Sequence, residues 1–277
     1  MEQKIQPVHG REYPFFVVKG KDLQKVYSKI ENEIQNFNSK MTDGRIRDHK
    51  EKICKIVLGK IAEEALEQFL IEEFSECNPI ITKNKFSKTG NFELYDLALN
   101  LDQNTEITLE LRTSFPPQKY LEQFPNNCTK LSLIGSYTSL SKKSEPQKDF
   151  FVQGFWDFSF EEKCRVQKIS EIYSAINKPL SGKHFQCNFF LGSFVSKKSL
   201  EDFGSFSSLN QSGASYKIIR PISKTFSPFQ FKQVVFDAIT IGKDPGSSLT
   251  IVSERNSPEQ NDNNKKSTDI FFGERSK

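Results

Sequence analysis

Tryptophan and methionine are scarce in this chain, with one Trp and two Met among 277 residues, and there are only three histidines. The five cysteines, Cys54, Cys77, Cys128, Cys164 and Cys187, are widely scattered and never form a CxxC pair. That spacing argues against a zinc site or a disulfide framework and favours reduced thiols. No Ser-His-Asp or Cys-His pattern is discernible. His9 and His184 stand alone, as surface or core histidines more often do than catalysts. A P-loop and a GxGxxG loop are both missing, so ATP use is not indicated. The N-terminus is polar, and no apolar stretch is long enough to cross a bilayer, so the expected location is cytoplasmic and away from membranes. Charge is not extreme either. A net +4 with a pI near 8.6 suits a nucleic-acid binder and many other soluble enzymes alike.

What the chain has in excess is phenylalanine, 26 residues, which is more economically explained by core packing than by base stacking. The length allows one large domain or two small ones. Residues 1–18 read as an irregular arm ending in a short strand, Phe15-Phe16-Val17-Val18. Leu23, Val26, Ile30, Ile34 and Phe37 recur at helical spacing and predict an amphipathic helix over Lys21–Phe37, with Asp22 near its N-cap. A longer helix is predicted over Asp48–Glu73 from Ile53, Val57, Ile61, Ala65 and Phe69. Two strands follow, Phe92–Leu99 and Glu106–Ser114. The short polar connection between them predicts an antiparallel hairpin. Leu131–Tyr137 and Phe150–Phe158 are apolar enough for buried strands, and 161–176 resembles a helix. Beyond it the pattern mixes aromatic strands, Phe189–Phe194 and Gln233–Ile239, with Ser- and Gly-rich turns. A polar tail after Ser253 carries no core-forming pattern and reads as disordered.

Chemistry concentrates in the hairpin. In Ile107-Thr108-Leu109-Glu110-Leu111-Arg112 the alternation puts Glu110 and Arg112 on one face. Asp96 is the acid near the middle of the preceding strand, between Tyr95 and Leu97, where burial without a metal or cationic partner is costly. Facing carboxylates on neighbouring strands, about 4.8 Å apart, suit a hard cation such as Mg²⁺. Such an ion helps phosphodiester hydrolysis by activating water and neutralising developing charge. Other readings of the same residues stay open. Glu63 and Glu64 fit a solvated helix face, Glu110 and Arg112 a structural ion pair, and Asp96 a turn cap.

The order Gly59-Lys60-Ile61-Ala62-Glu63-Glu64 on a helix, Tyr95-Asp96 on one strand and Glu110-Leu111-Arg112 on the next resembles the PD-(D/E)XK nuclease superfamily, which includes type II restriction endonucleases. Lys148-Asp149-Phe150-Phe151-Val152-Gln153-Gly154-Phe155 resembles the buried strand that follows the catalytic hairpin in many such enzymes. The likeness spans about residues 45–176. It implies Asp96 and Glu110 as Mg²⁺ ligands. Glu63, four residues after Gly59, would complete or orient the site, with Glu64 in reserve. Gly59 would let the helix approach the site closely. Arg112 stands where the family usually has lysine. A guanidinium holds phosphate oxygens as a fork but does not act as a general base, which leaves water activation to the metal. Tyr95 replaces the usual proline.

The expected fold is α/β: a restriction-endonuclease-like mixed central sheet flanked by helices, with a β-rich C-terminal extension. The expected organisation is an N-terminal arm and helix (1–47), a nuclease core (48–176), a β-rich target-recognition region (177–252) and a polar tail (253–277). Arg45, Arg47, His49 and Lys50 are candidates for DNA phosphate contacts, and Lys183, His184, Lys197, Lys198, Lys217, Arg220 and Lys224 for base reading. The resemblance implies a Mg²⁺-dependent type II endonuclease that cuts double-stranded DNA at a specific sequence. A symmetric target implies a homodimer, and a cognate DNA methyltransferase encoded nearby is expected. The rival readings are a catalytically inactive nuclease fold that binds DNA, and a nuclease of repair, transposition or phage defence.

Overall fold

The computed structural model describes residues 1–34, 48–83, 95–102, 105–138, 148–178, 184–208 and 215–248. Its strands are β1 (Glu2–Val8), β2 (Arg11–Lys19), β3 (Ile80–Lys83), β4 (Leu97–Asn100), β5 (Glu106–Ser114), β6 (Leu133–Thr138), β7 (Phe150–Trp156), β8 (Gln186–Ser196), β9 (Ser205–Ser208) and β10 (Ser215–Ile219). Its helices are α1 (Gly20–Ile34), α2 (His49–Glu73), α3 (Gln118–Leu121), α4 (Glu162–Asn177), α5 (Lys197–Phe203) and α6 (Pro228–Thr240). The chain is a mixed α/β protein. Seven strands form a central sheet in the order β1-β2-β8-β7-β5-β4-β3, and β6-β10-β9 form a smaller one. All pairings in the central sheet are antiparallel except β5 with β7.

Burial alternates along β7, whose residues are all enclosed. Phe150, Val152 and Trp156 join the core shared with α1, α2, α4 and α6. Phe151 and Phe155 join a second core with Leu133, Leu200 and Ile219, on the side of the small sheet. A strand covered on both faces needs apolar residues at consecutive positions, which explains the unbroken run in the sequence. The sheet bulges at Gln153/Gly154. A Cβ at Gly154 would fall 2.2 Å from the Phe189 ring, so glycine is required there. Phenylalanine supplies much of this packing: Phe231 stacks on Phe194 at 4.4 Å and meets Phe150 edge-on at 4.9 Å. Buried side chains of this kind contribute roughly 1.5–3 kcal/mol each.

Helix α2 spans the predicted range and buries Ile53, Val57, Leu58, Ile61, Ala62, Ala65, Leu66, Phe69 and Leu70. Helix α1 ends its described part at Ile34, so Phe37 lies outside the described residues. The antiparallel β4–β5 hairpin forms as expected, but β4 begins only at Leu97, so Tyr95 and Asp96 precede the strand instead of lying within it, and residues 92–94 lie outside the described residues.

Four expectations need correction. The N-terminal arm is a regular hairpin, because His9 and Gly10 both adopt positive φ, 48° and 76°, in a two-residue turn. Leu131–Tyr137, expected as a buried strand within the 48–176 core, supplies β6 of the small sheet, where it pairs with β10 from the C-terminal region. Gln233–Ile239 lies within α6. Its Val and Ile content suggested a strand, but Phe231, Val235 and Ala238 are buried at helical spacing. Ser227 and Gln230 close a capping box with Pro228 at the first turn. Finally, the C-terminal region is not purely an extension. Strand β8 pairs with both β2 and β7 in the middle of the central sheet, because its run of buried residues needs cover on both faces. Among the described residues, no helix is long and apolar enough to cross a membrane.

Candidate active site

The hairpin brings the two acids near each other. Strands β4 and β5 pair Leu97 with Leu109 and Ala98 with Thr108. Asp96 lies at a bend just before β4, and its amide donates to the Leu109 carbonyl at 3.1 Å, next to Glu110. The Asp96 carboxylate accepts the Leu111 amide at 2.7 Å. Burial, then the neighbouring Glu110 carboxylate and then Glu63, push the Asp96 pKa up to about 8. The Leu111 N–H and Arg112 pull in the other direction. A half-buried carboxyl crowded by like charge ionises more readily once a further cation joins it.

Both oxygens of Glu110 face cations. Oε1 lies 3.0 Å from Arg112 Nη2, and Oε2 lies 3.3 Å from Lys148 Nζ. The main chain of Arg112 is held in turn. Gln153, wholly buried and opposite Arg112 on β7, donates to the Arg112 carbonyl at 3.1 Å and to Ser114 Oγ at 3.0 Å. Its own oxygen accepts the Ile134 amide at 3.2 Å and so ties β6 to this part of the sheet. Just before β7, Asp149 Oδ2 accepts both the amide and the hydroxyl of Thr108, at 2.8 and 2.7 Å.

The helix glutamates part company. Glu64 reaches α1, where Lys29 holds it at 2.7 Å. Glu63 pairs through both oxygens with Lys60, at 2.8 and 2.7 Å. Burial raises the Glu63 pKa, while Lys60 and Lys83 act to lower it. Glu63 is thus the helix acid that Asp96 feels. It is less closely joined to the hairpin pair than those two acids are to each other. Ile107 and Leu109 of β5 pack into the helix-side core, so the alternation turns Glu110 and Arg112 toward the other face. Among the described residues, no group of three or more His, Cys, Asp or Glu side chains is arranged to hold a metal ion. Gly59 also departs from expectation. A Cβ built there meets nothing within 4 Å, so close helix approach does not require that glycine.

The donor chemistry suits a hard divalent cation. Asp96 and Glu110 offer oxygen only, and their mutual repulsion is what such an ion relieves. Mg²⁺ is commonly held by one or two carboxylates with waters and substrate phosphate supplying the rest.

Lys148, Lys60 and Gln153 join the site without having been candidates. Lys60 was legible as a helix neighbour of Glu63 at i,i+3 spacing. The segment Lys148–Phe155 resembles the buried strand after the hairpin, but nothing within it marks Lys148 or Gln153 as site residues. Their proximity depends on the parallel β5–β7 pairing across an interval of about forty residues. In the more distant basic set, His49 and His184 are exposed. Lys198 is paired with Asp202 at 2.6 Å. Lys217 lies over the Phe206 ring at 5.6 Å. Arg45, Arg47 and Lys183 lie outside the described residues.

Comparison with known proteins adds one relative. A protein of Methanocaldococcus jannaschii, described as uncharacterized, is 26% identical over 239 residues, covering 80% of this chain and 85% of its own length. No family model matches the chain, and no solved structure matches it.

Proposed function

We propose that the chain is a Mg²⁺-dependent nuclease that hydrolyses phosphodiester bonds in double-stranded DNA, built on a restriction-endonuclease-like core. The observation that carries this reading is the closeness of Asp96, which accepts the Leu111 amide, to Glu110, with Arg112 bonded to Glu110. The topology supports it as well. A long helix is followed by the antiparallel run β3-β4-β5, with β7 parallel to β5, which agrees with the resemblance noted from the motifs.

In this mechanism Asp96 and Glu110 would hold the metal, which when bound would supply an activated water and neutralise charge that develops on the phosphate. Asp96 would have to release its proton to solvent to act as a ligand. Arg112 presents a permanently charged fork to the non-bridging phosphate oxygens and stabilises the transition state. Gln153 keeps the Arg112 backbone in place. Glu63 lends negative charge at the edge of the pair. Cutting at a specific sequence, a homodimer and a partner methyltransferase extend the same proposal.

The test is incubation of plasmid DNA with the purified chain in Mg²⁺ and in EDTA, beside Asp96→Asn and Glu110→Gln. Fragments formed by the wild type in Mg²⁺ alone support the reading. Equal cutting by both variants removes it.

A second reading is favoured by the same ion pairs. With both oxygens of Glu110 bonded to cations, the site also fits an inactive nuclease fold that binds DNA. Salt-sensitive DNA binding without cleavage would select that alternative.

A further inference from the structure

Lys148 and Glu51 are the buried charged side chains among the described residues, and Lys148 is only 1% exposed. Enclosing an ammonium is costly unless it is paired. One of its partners is Glu110 Oε2, at 3.3 Å. The lysine is also fixed in position. The next residue, Asp149, is bound to the Thr108 amide and hydroxyl, and its own amide donates to Thr108 Oγ1 at 3.0 Å. So enclosed a side chain does not swing out to grip a phosphate. We infer that Lys148 is a resident counter-ion: its ammonium pairs with the Glu110 carboxylate and holds it in place beside Asp96 until a divalent cation takes over that role. Lys148 is therefore a positioning residue. This inference rests on the reading of Asp96 and Glu110 as a divalent-ion site.

The argument is one of charge. The Asp96 carboxylate sits on the Leu111 amide beside Glu110, and Arg112 and Lys148 both contact Glu110. A divalent ion that enters brings its own positive charge close to the ammonium, so Lys148 opposes the metal while supporting the metal-free fold. Replacement by methionine keeps an unbranched stem of similar length and removes the charge. The pair then keeps only Arg112 as counter-ion in EDTA and attracts a divalent ion more strongly.

The test uses the full chain as wild type, Lys148→Met and the double variant Glu110→Gln/Lys148→Met. Thermal unfolding is followed in EDTA and with Mn²⁺, and Mn²⁺ affinity is measured directly. Lys148→Met should be less stable than the wild type in EDTA, should recover on adding Mn²⁺, and should bind Mn²⁺ at least about tenfold tighter, as expected for removing a unit charge a few ångströms from the ion. The double variant should regain stability in EDTA and lose the Mn²⁺ response. A Lys148→Met protein as stable as the wild type in EDTA overturns the inference. So does one that Mn²⁺ neither stabilises nor binds more tightly, or one that stays unfolded both with and without Mn²⁺. The nuclease reading fails separately. A Mn²⁺ response of this form from a chain that never cuts DNA keeps the counter-ion and removes the nuclease.

Discussion

Two aspartates reach the same strand, β5, and they are treated in opposite ways. Asp149 approaches at Thr108 and receives an amide and a hydroxyl on one oxygen, while its own amide returns a bond to that hydroxyl. The turn at Pro245–Gly246 covers it so closely that a Cβ at Gly246 would come within 2.9 Å of its side chain. Asp96 approaches at Leu111 and receives one amide. Its other neighbours include Glu110 and, farther off, Glu63, and its pKa rises to about 8. A carboxylate enclosed by donors stabilises a fold. One enclosed beside other carboxylates destabilises it, and persists where a cation is to be bound.

The contrast breaks most sharply if function and stability fail to separate. Asp96→Asn should lower Mg²⁺-dependent DNA cutting by about a thousandfold or more, since it removes a ligand of the ion that activates water. The folded protein should lose nothing by circular dichroism. Asp149→Ala should do the reverse. Losing two hydrogen bonds to a charged acceptor, at about 1.5–3 kcal/mol each, should destabilise the chain by about 3 kcal/mol or more in urea unfolding. Cutting per folded molecule should remain. If Asp149→Ala is harmless, or Asp96→Asn unfolds the chain, the two sites are not the opposites described.

A smaller effect concerns pH. The folded Asp96 pKa of about 8 lies above its ordinary 3.8. Between those values the folded protein keeps a proton that the unfolded chain has released, so stability is highest below the window and falls as pH rises through it. One such proton contributes a slope of up to ~1.4 kcal/mol per pH unit. Unfolding in metal-free buffer across this range should show the slope in the wild type and a flatter profile in Asp96→Asn. The smallest effect belongs to Glu64→Gln. Its pairing with Lys29 is largely exposed on the lysine side. Its loss should change stability by no more than about 1 kcal/mol and leave cutting unaltered. Glu63→Gln should weaken cutting. Equal behaviour of the two variants would erase the distinction between the helix acids.

Much of this was readable beforehand where the signal was periodic and local. The alternation in β5 put Glu110 and Arg112 on one face, and the spacing of Ile53 to Phe69 placed α2. The polar connection after Asn100 announced the hairpin. The same local cues misjudged Gln233–Ile239, where Val and Ile favour a strand but the capping box and the helical spacing of buried positions decide. They also missed the N-terminal hairpin, whose turn depends on positive φ at His9.

By itself the amino-acid sequence determined the α/β class, the two long helical patterns and the placing of Glu110 and Arg112 on one face of β5, because side-chain direction follows from chain geometry within a strand. Only the tertiary structure decided the rest. It placed β8 at the centre of the sheet, paired Glu64 with Lys29 of α1 and Glu63 with Lys60, and brought Lys148 and Gln153 beside Glu110 and Arg112. Those meetings depend on a parallel pairing between segments remote in the chain, and no local pattern encodes which distant strand will complete a sheet.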